Sequence, residues 1–256
     1  MIWSQADSLS GFFLGGKASS YAETGRERKT LNMSAFEVDY EAAESTLAER
    51  TYIRLRDDII TTLLPPGTLL REAEIMKRMD VGRTPVREAI QRLQYDGFVV
   101  VSARRGTFVS KIDINDLTAV YEARARIESW ATRLAAERLR EFERQEARQL
   151  IDELKQTTGP MALEDILALD RRVHRFIYKV AKNPFLSDTL DHYHNLSLRI
   201  LYVAMKRFPS LVPRLEDVLH DQVLMLEAVC RGDADEAEKI AMAHVMSFES
   251  EVRKVI

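Results

Sequence analysis

Cysteine is nearly absent. Cys230 stands alone among 256 residues, so no intramolecular disulfide can form, and the chain suits a reducing cytoplasm. Long hydrophobic runs are missing too: none approaches the roughly 20 apolar residues of a membrane span. Gly11-Phe12-Phe13-Leu14-Gly15-Gly16 is apolar but short, and no lysine or arginine precedes it, which argues against a secretory signal. Positive charge is also in short supply, with 37 Lys+Arg against 40 Asp+Glu and a net charge of −3. That balance looks wrong for a nucleic-acid binder, but its distribution is uneven. Residues 45–111 carry 12 Lys+Arg against 8 Asp+Glu, a net of +4, so the remainder carries −7. A basic module joined to an acidic one suits a DNA reader with a separate sensing domain. With 46% hydrophobic residues, the length is enough for two small domains with real cores.

What is present is organised around Val81–Leu93. Gly82 can serve as an N-cap, and Thr84-Pro85 falls in a first turn where proline's missing N–H costs nothing. Val86, Ile90 and Leu93 share one helical stripe, while Arg83, Arg87 and Gln91 repeat at i, i+4, i+8 on the other face. Arginine there suits a guanine edge or a phosphate, and glutamine suits adenine. Alone, this is equally an ordinary amphipathic surface helix. Its neighbours decide. Thr51–Ile60 reads as a helix with Tyr52, Leu55, Ile59 and Ile60 inward, stopped by Pro65-Pro66-Gly67, and Glu72–Met79 as a second. Phe98–Ser102 and Thr107–Lys111 read as strands joined by the basic turn Ala103-Arg104-Arg105-Gly106. Helix, helix, recognition helix and hairpin in that order make a winged helix-turn-helix.

Leu55-Arg56, Pro66-Gly67-Thr68, Leu70-Arg71-Glu72, Val81-Gly82-Arg83-Thr84-Pro85-Val86-Arg87-Glu88-Ala89, Gly97-Phe98-Val99 and Arg105-Gly106-Thr107-Phe108-Val109, in register, resemble the DNA-binding domain of GntR-family transcriptional regulators. Gly82 departs from the serine cap usual there, at a cost of only a few tenths of a kcal/mol by capping preference. The candidate DNA contacts are Arg71, Arg83, Thr84, Arg87, Gln91, Arg104, Arg105 and Gly106.

Beyond Ile112–Asp116, a linker and cap, the pattern is helical throughout: Leu117 to about Arg140, Phe142–Thr157, Leu163–Lys182, Phe185–Arg207, Leu215–Arg231 and Asp235–Val255. The stops are Thr158-Gly159-Pro160, Asn183-Pro184, the Pro209–Pro213 loop and Gly232-Asp233. No strand pattern or fixed-period repeat occurs in this half. The expected fold is mainly α, an N-terminal winged helix-turn-helix followed by an all-α antiparallel bundle of six or seven helices. The division is 1–40 as a disordered tail, 41–111 as the winged helix and 112–256 as the helical domain. Met33 is a second candidate for the start of the chain.

Several polar residues lie on the apolar stripes of these helices. Arg124 and Glu128 share a face with Leu117, Val120, Tyr121 and Ala131; Asp170 and His174 share one with Ile166, Leu167, Ile177 and Ala181; His244 falls with Ala237, Ile240, Ala241 and Phe248. Buried polar groups are costly unless paired with each other, a metal or a ligand, so these define a lined cavity. Each alone is also a satisfied core residue, and Arg124–Glu128 an internal i, i+4 ion pair. Together with Asn183-Pro184 and Gly232-Asp233, they resemble the FCD effector domain of the FadR-like GntR branch. That resemblance implies that Asp170, His174 and His244 match positions that ligate a divalent metal, zinc or nickel. It implies, too, a small carboxylate effector beside them, with Arg124, Glu128 and Gln222 as candidate ligand-binding residues. Metal-binding relatives carry a further histidine eleven residues before the aspartate of Gly-Asp, where this chain has Gln222, a weaker ligand that puts the metal in doubt. His220 falls on the wrong face. Asp191-His192-Tyr193-His194 cannot place both histidines on one face, so His192 and His194 read as surface or packing residues.

The function expected is a dimeric, ligand-responsive transcriptional regulator, a repressor by resemblance, on a palindromic double-stranded DNA operator in the cytoplasm, with no membrane role and no enzymatic one. A metal-dependent hydrolase using Asp170, His174 and His244 is the rival; it lacks a general base and leaves the winged helix unexplained. An architectural DNA-binding protein whose bundle only dimerises is a second, opposed by the inward polar set, since a pure packing core would be apolar.

Overall fold

The computed structural model describes residues 45–157, 162–208 and 215–253. The expected tail over 1–40, the stop at Thr158-Gly159-Pro160 and the loop between Pro209 and Pro213 lie outside them. Helix α1 (Leu47–Ile60) begins before the expected Thr51 because Thr46 Oγ1 accepts from the Glu49 amide at 3.1 Å, a side-chain N-cap. It ends well short of Pro65. The Thr61 amide and hydroxyl both donate to Asp57 O, and Thr62 turns the chain at φ 56°. Tyr52, Leu55, Ile59 and Ile60 are buried as their spacing predicts, but so are Arg56, Asp57 and Asp58, because the bundle covers a second face of α1.

Strand β1 (Leu69–Leu70) is too short to show alternation and escapes sequence reading. Helix α2 (Glu72–Met79) leads through Asp80, left-handed at φ 51°, to Gly82, which caps α3 (Arg83–Tyr95) without a side-chain bond. Val86, Ala89, Ile90 and Leu93 anchor α3 to the core. Strands β2 (Val99–Ser102) and β3 (Gly106–Val109) form the wing, and β1 adds antiparallel to β3, giving the order β1-β3-β2. Gly106 holds φ 114°, and a Cβ there would lie 2.8 Å from Leu69 Cδ1, so the wing's return requires glycine.

The bundle follows as α4 (Ile114–Arg138), α5 (Glu141–Gln156), α6 (Leu163–Val180), α7 (Pro184–Arg207), α8 (Leu215–Arg231) and α9 (Ala234–Arg253). Helix α4 is its axis, with α9 along it and α6, α7 and α8 against it. The breaks have local causes. Glu143 Oε2 accepts from the Arg140 amide at 2.7 Å at the start of α5, Asn183 caps α7 with Pro184 in its first turn, and Gly232 closes α8 at φ 73°. None of the described helices is long and apolar enough to cross a membrane.

Two apolar clusters divide the interior. One fills the α5 side of the bundle through Ala147, Leu150, Val173, Phe176, Leu226 and Val229. The other is continuous from the winged helix (Leu55, Ile59, Leu93, Phe98) into the bundle (Leu117, Tyr121, Leu198, Leu201). Polar ties reinforce this joint, with Arg171 of α6 on Asp57 at 3.1 Å and Arg199 of α7 on Ser110. The reading head therefore shares a core with the helices that carry the buried polar set.

Candidate functional site

Arg71, Arg83, Thr84, Arg87, Gln91, Arg104, Arg105 and Gly106 are all exposed on the winged helix. The two α3 arginines are not free. Glu72, at the start of α2, accepts from Arg87 Nε at 3.1 and 3.2 Å and lies 3.8 Å from Arg83 Nε. Arg71 pairs with Glu74 at 2.9 Å. The arginines are more than half exposed and Glu72 more than a third, so water and salt screen these pairs and nucleic-acid phosphate can displace them cheaply. Arg92, by contrast, braces the fold: it bonds Glu49 and lies over the Tyr52 ring, 3.9 Å from its centroid. Arg104 sits at the tip of the wing, at φ 64°.

The second constellation is inside the bundle. Arg124 Nε and Nη2 donate to Glu128 Oε2 at 2.9 and 2.8 Å, and Nη1 donates to Ser197 Oγ at 2.7 Å. The other Glu128 oxygen faces His174 Nδ1 at 2.5 Å, and His174 Nε2 lies 3.4 Å from Asp170 Oδ1. Gln222 Nε2 donates to the same Asp170 oxygen at 2.5 Å, while His194 Nε2 meets Oδ2 at 2.9 Å. All six are buried. Charges alternate along this chain of contacts. Burial alone would push the His174 imidazole down, but Glu128 and Asp170 on either side raise it to about 9. Burial and the neighbouring His174 charge push His194 down to about 4, so it stays neutral and its Nε2–H donates a hydrogen bond to the Asp170 carboxylate. Burial would raise the Glu128 and Asp170 carboxyls, but Arg124 and His174 hold Glu128, and the two histidines hold Asp170, below the usual range.

Asp170, His174 and His244 each offer a ligand atom within 4.8 Å of the others, close enough to hold a metal ion. The Gln222 carbonyl oxygen is buried without a hydrogen-bond partner, as a fourth donor would be, and His244 Nδ1 lies 3.7 Å from Asp221 Oδ2. Both oxygens of Asp170, however, already accept from protein donors. A cavity of about 20 Å³ lies here, lined by Arg124, Asp170, His174, Ser197 and His244 and by the stacked Tyr121 and Phe248. That is room for one water or ion, so an organic acid must part these walls to enter. Glu128 and Gln222 do not line it; they hold the residues that do.

Residues 47–109 match the bacterial regulatory proteins of the gntR family, and residues 119–247, half of the chain, match the FCD domain. The chain belongs to the GntR family. Among relatives of this GntR-family protein, the HTH-type transcriptional repressor RspR of Escherichia coli is 28% identical over 207 residues, 81% of this chain and 89% of that one. The Nta operon transcriptional regulator of Aminobacter aminovorans is 28% identical over 191 residues, 75% of this chain and 87% of its own. The solved structure of E. coli McbR/YncC shares the fold, with a TM-score of 0.72 at 20% identity over 82% of this chain and 98% of that one. The family and these relatives are transcriptional regulators, not enzymes, which sets aside the hydrolase reading.

One expectation is corrected. His194 is neither surface nor packing residue but a member of the GntR protein's buried polar set, 1% exposed and bonded to Asp170. His192 is half-buried and faces Asp96 of the winged helix at 3.7 Å. Taken with Leu190, Leu198 and Leu201, His194 falls on an apolar stripe of α7, the signal that exposes Asp170 and His174 on α6. Ser197, which accepts from Arg124, is on the same helix and was also missed. His220 is exposed, as its face requires.

Proposed function

We propose that this regulator is a ligand-responsive repressor that binds a palindromic operator as a homodimer in the cytoplasm and is modulated by a small organic acid. The observation that carries the reading is the buried Arg124–Glu128–His174–Asp170 chain, placed against a cavity in a core continuous with the reading head. A charged network of this kind is an expensive way to fill a bundle and a cheap way to prepare one for an anion. Arg124 is the residue to receive the carboxylate through its planar fork, exchanging part of its hold on Glu128 and Ser197. Phosphate contacts from Lys and Arg would supply much of the DNA affinity, and Arg83, Arg87 and Gln91 the discrimination.

Footprinting is the direct test. Two half-sites related by a dyad, with centres about one helical turn apart, are expected. A single asymmetric half-site protected by monomer would count against the reading. Thermal-shift screening of small organic acids finds the effector by mass action, and that acid should change operator affinity by about 1–3 kcal/mol. Arg124→Lys, which keeps the charge and loses the fork, should fold and bind operator yet respond weakly; a full response would remove Arg124 from the switch.

Asp170, His174 and His244 would supply three ligands and the Gln222 carbonyl a weak fourth to zinc or nickel, which when bound would offer a carboxylate a Lewis-acidic charge. Binding competes with the hydrogen bonds that Asp170 takes from Gln222 and His194, so it should be weaker than where histidine replaces Gln222. Gln222→His is therefore expected to tighten zinc by about tenfold or more, measured by chelator competition at fixed pH. Wild-type protein that keeps stoichiometric metal through chelator dialysis, with the variant no tighter, would refute this.

A further inference from the structure

A second polar side chain is buried with less compensation than any member of the bundle network. Arg199 of α7 is 3% exposed and makes two hydrogen bonds, both to Ser110 at the end of the wing: Nη1 to Oγ at 2.7 Å and Nη2 to the carbonyl at 2.6 Å. Among the described residues no carboxylate pairs with it, and its Nε is buried without a partner. Burial lowers the guanidinium to about 10, so it remains charged at neutral pH. A buried cation without a counter-ion is costly, and proteins rarely leave one uncompensated. Against Arg199 lies a cleft of about 210 Å³ between the wing and the bundle, ten times the cavity beside Arg124. Its walls are otherwise largely apolar, built from Ile112, Val120, Leu196 and Ile200. Lys111 and Asp113, both exposed and of opposite charge, stand at its edge.

We infer that this cleft is a ligand site for a small amphipathic carboxylate, its charged end on the Arg199 guanidinium and its apolar body against Ile112, Val120, Leu196 and Ile200. The chemistry follows from the lining: one buried cation asks for one anion, and the apolar walls ask for a hydrocarbon or aromatic body rather than a fully hydrated ion. Inorganic phosphate would meet the first demand and not the second. A ligand there would touch the Ser110 end of the wing and α7 at once, bridging head and bundle at a place separate from the Asp170 cluster.

Benzoate and hexanoate are suitable probes, titrated calorimetrically into the full chain, with inorganic phosphate beside them. The expected result is saturable binding of at least one of the two acids at one site per chain, tighter than phosphate. It should weaken by about tenfold or more in Arg199→Gln, which keeps a donor for Ser110 but no charge, and equally in Ala119→Trp. Ala119 is an exposed lining residue, so a bulky side chain there fills the cleft without touching the Arg199–Ser110 bonds. Should Arg199→Gln fail to fold, Ala119→Trp decides alone. Absence of saturable acid binding up to about 10 mM, binding that survives Ala119→Trp, or a preference for phosphate overturns the inference.

Discussion

Glu128→Gln should cost about 3–5 kcal/mol of folding stability, the penalty for stripping one partner from a buried ion pair. Glu128 is 1% exposed and is the shared anion of Arg124 and His174, so its loss leaves two neighbouring cations with one carboxylate, Asp170, to serve them. The variant also changes how stability depends on pH in metal-free protein. His174 is raised from its ordinary 6.5 to about 9, so its contribution is complete below about pH 6.5 and lost as pH rises through 9. His194 is lowered to about 4, so its contribution holds above 6.5 and is lost as pH falls toward 4; Asp170 and Glu128, both lowered, add to that acid-side loss. Wild-type stability should therefore peak near pH 6.5 and decline on both sides. Removing the Glu128 charge removes the larger of the two attractions on His174 and should flatten the alkaline limb. Urea midpoints across that range measure it, and an unchanged alkaline slope would mean that Glu128 does not set the His174 charge.

Arg87→Ala is expected to weaken operator binding by about 1–3 kcal/mol per half-site and to relax discrimination at one base. Two copies on a palindrome, far enough apart to act independently, would double that free energy. In the free protein Arg87 is paired to Glu72, so part of its attraction for DNA is spent on exchanging that carboxylate. Glu72→Gln should accordingly tighten binding to unrelated DNA by a few-fold at low salt, where phosphate contacts dominate. Anisotropy titrations on the operator and its single-base variants, at one salt concentration, separate the cases. If Arg87→Ala weakened every sequence equally, Arg87 would be a phosphate contact and not a reader.

Periodicity located Arg124, Asp170, His174 and His244 because each lies on an apolar stripe of its own helix. It exposed the winged helix because a turn, a cap and a basic hairpin occur in order within residues 45–111. It failed where the partner comes from elsewhere in the chain. Nothing along α1 says that Asp57 will be covered by Arg171, 114 residues away, or along α7 that Arg199 will reach back to Ser110. Strand β1 is two residues long, below the reach of any alternation, and exists because β3 offers it an edge. Glu72 and Arg87 are 15 residues apart, brought together only by the turn at Asp80. A stripe reports which face of a helix is covered and is silent about what covers it.

The core that runs from Leu55 and Phe98 into Leu198 and Leu201 bears on how such proteins can be recombined. A hybrid that joins residues 45–111 to the bundle of another regulator would inherit an α1 flank shaped for Arg171 and a wing end shaped for Arg199, and would turn both toward side chains of the wrong form. Grafting at the linker is therefore a graft through an interior, and a functional hybrid must carry the facing surfaces of α4, α6 and α7 along with the head.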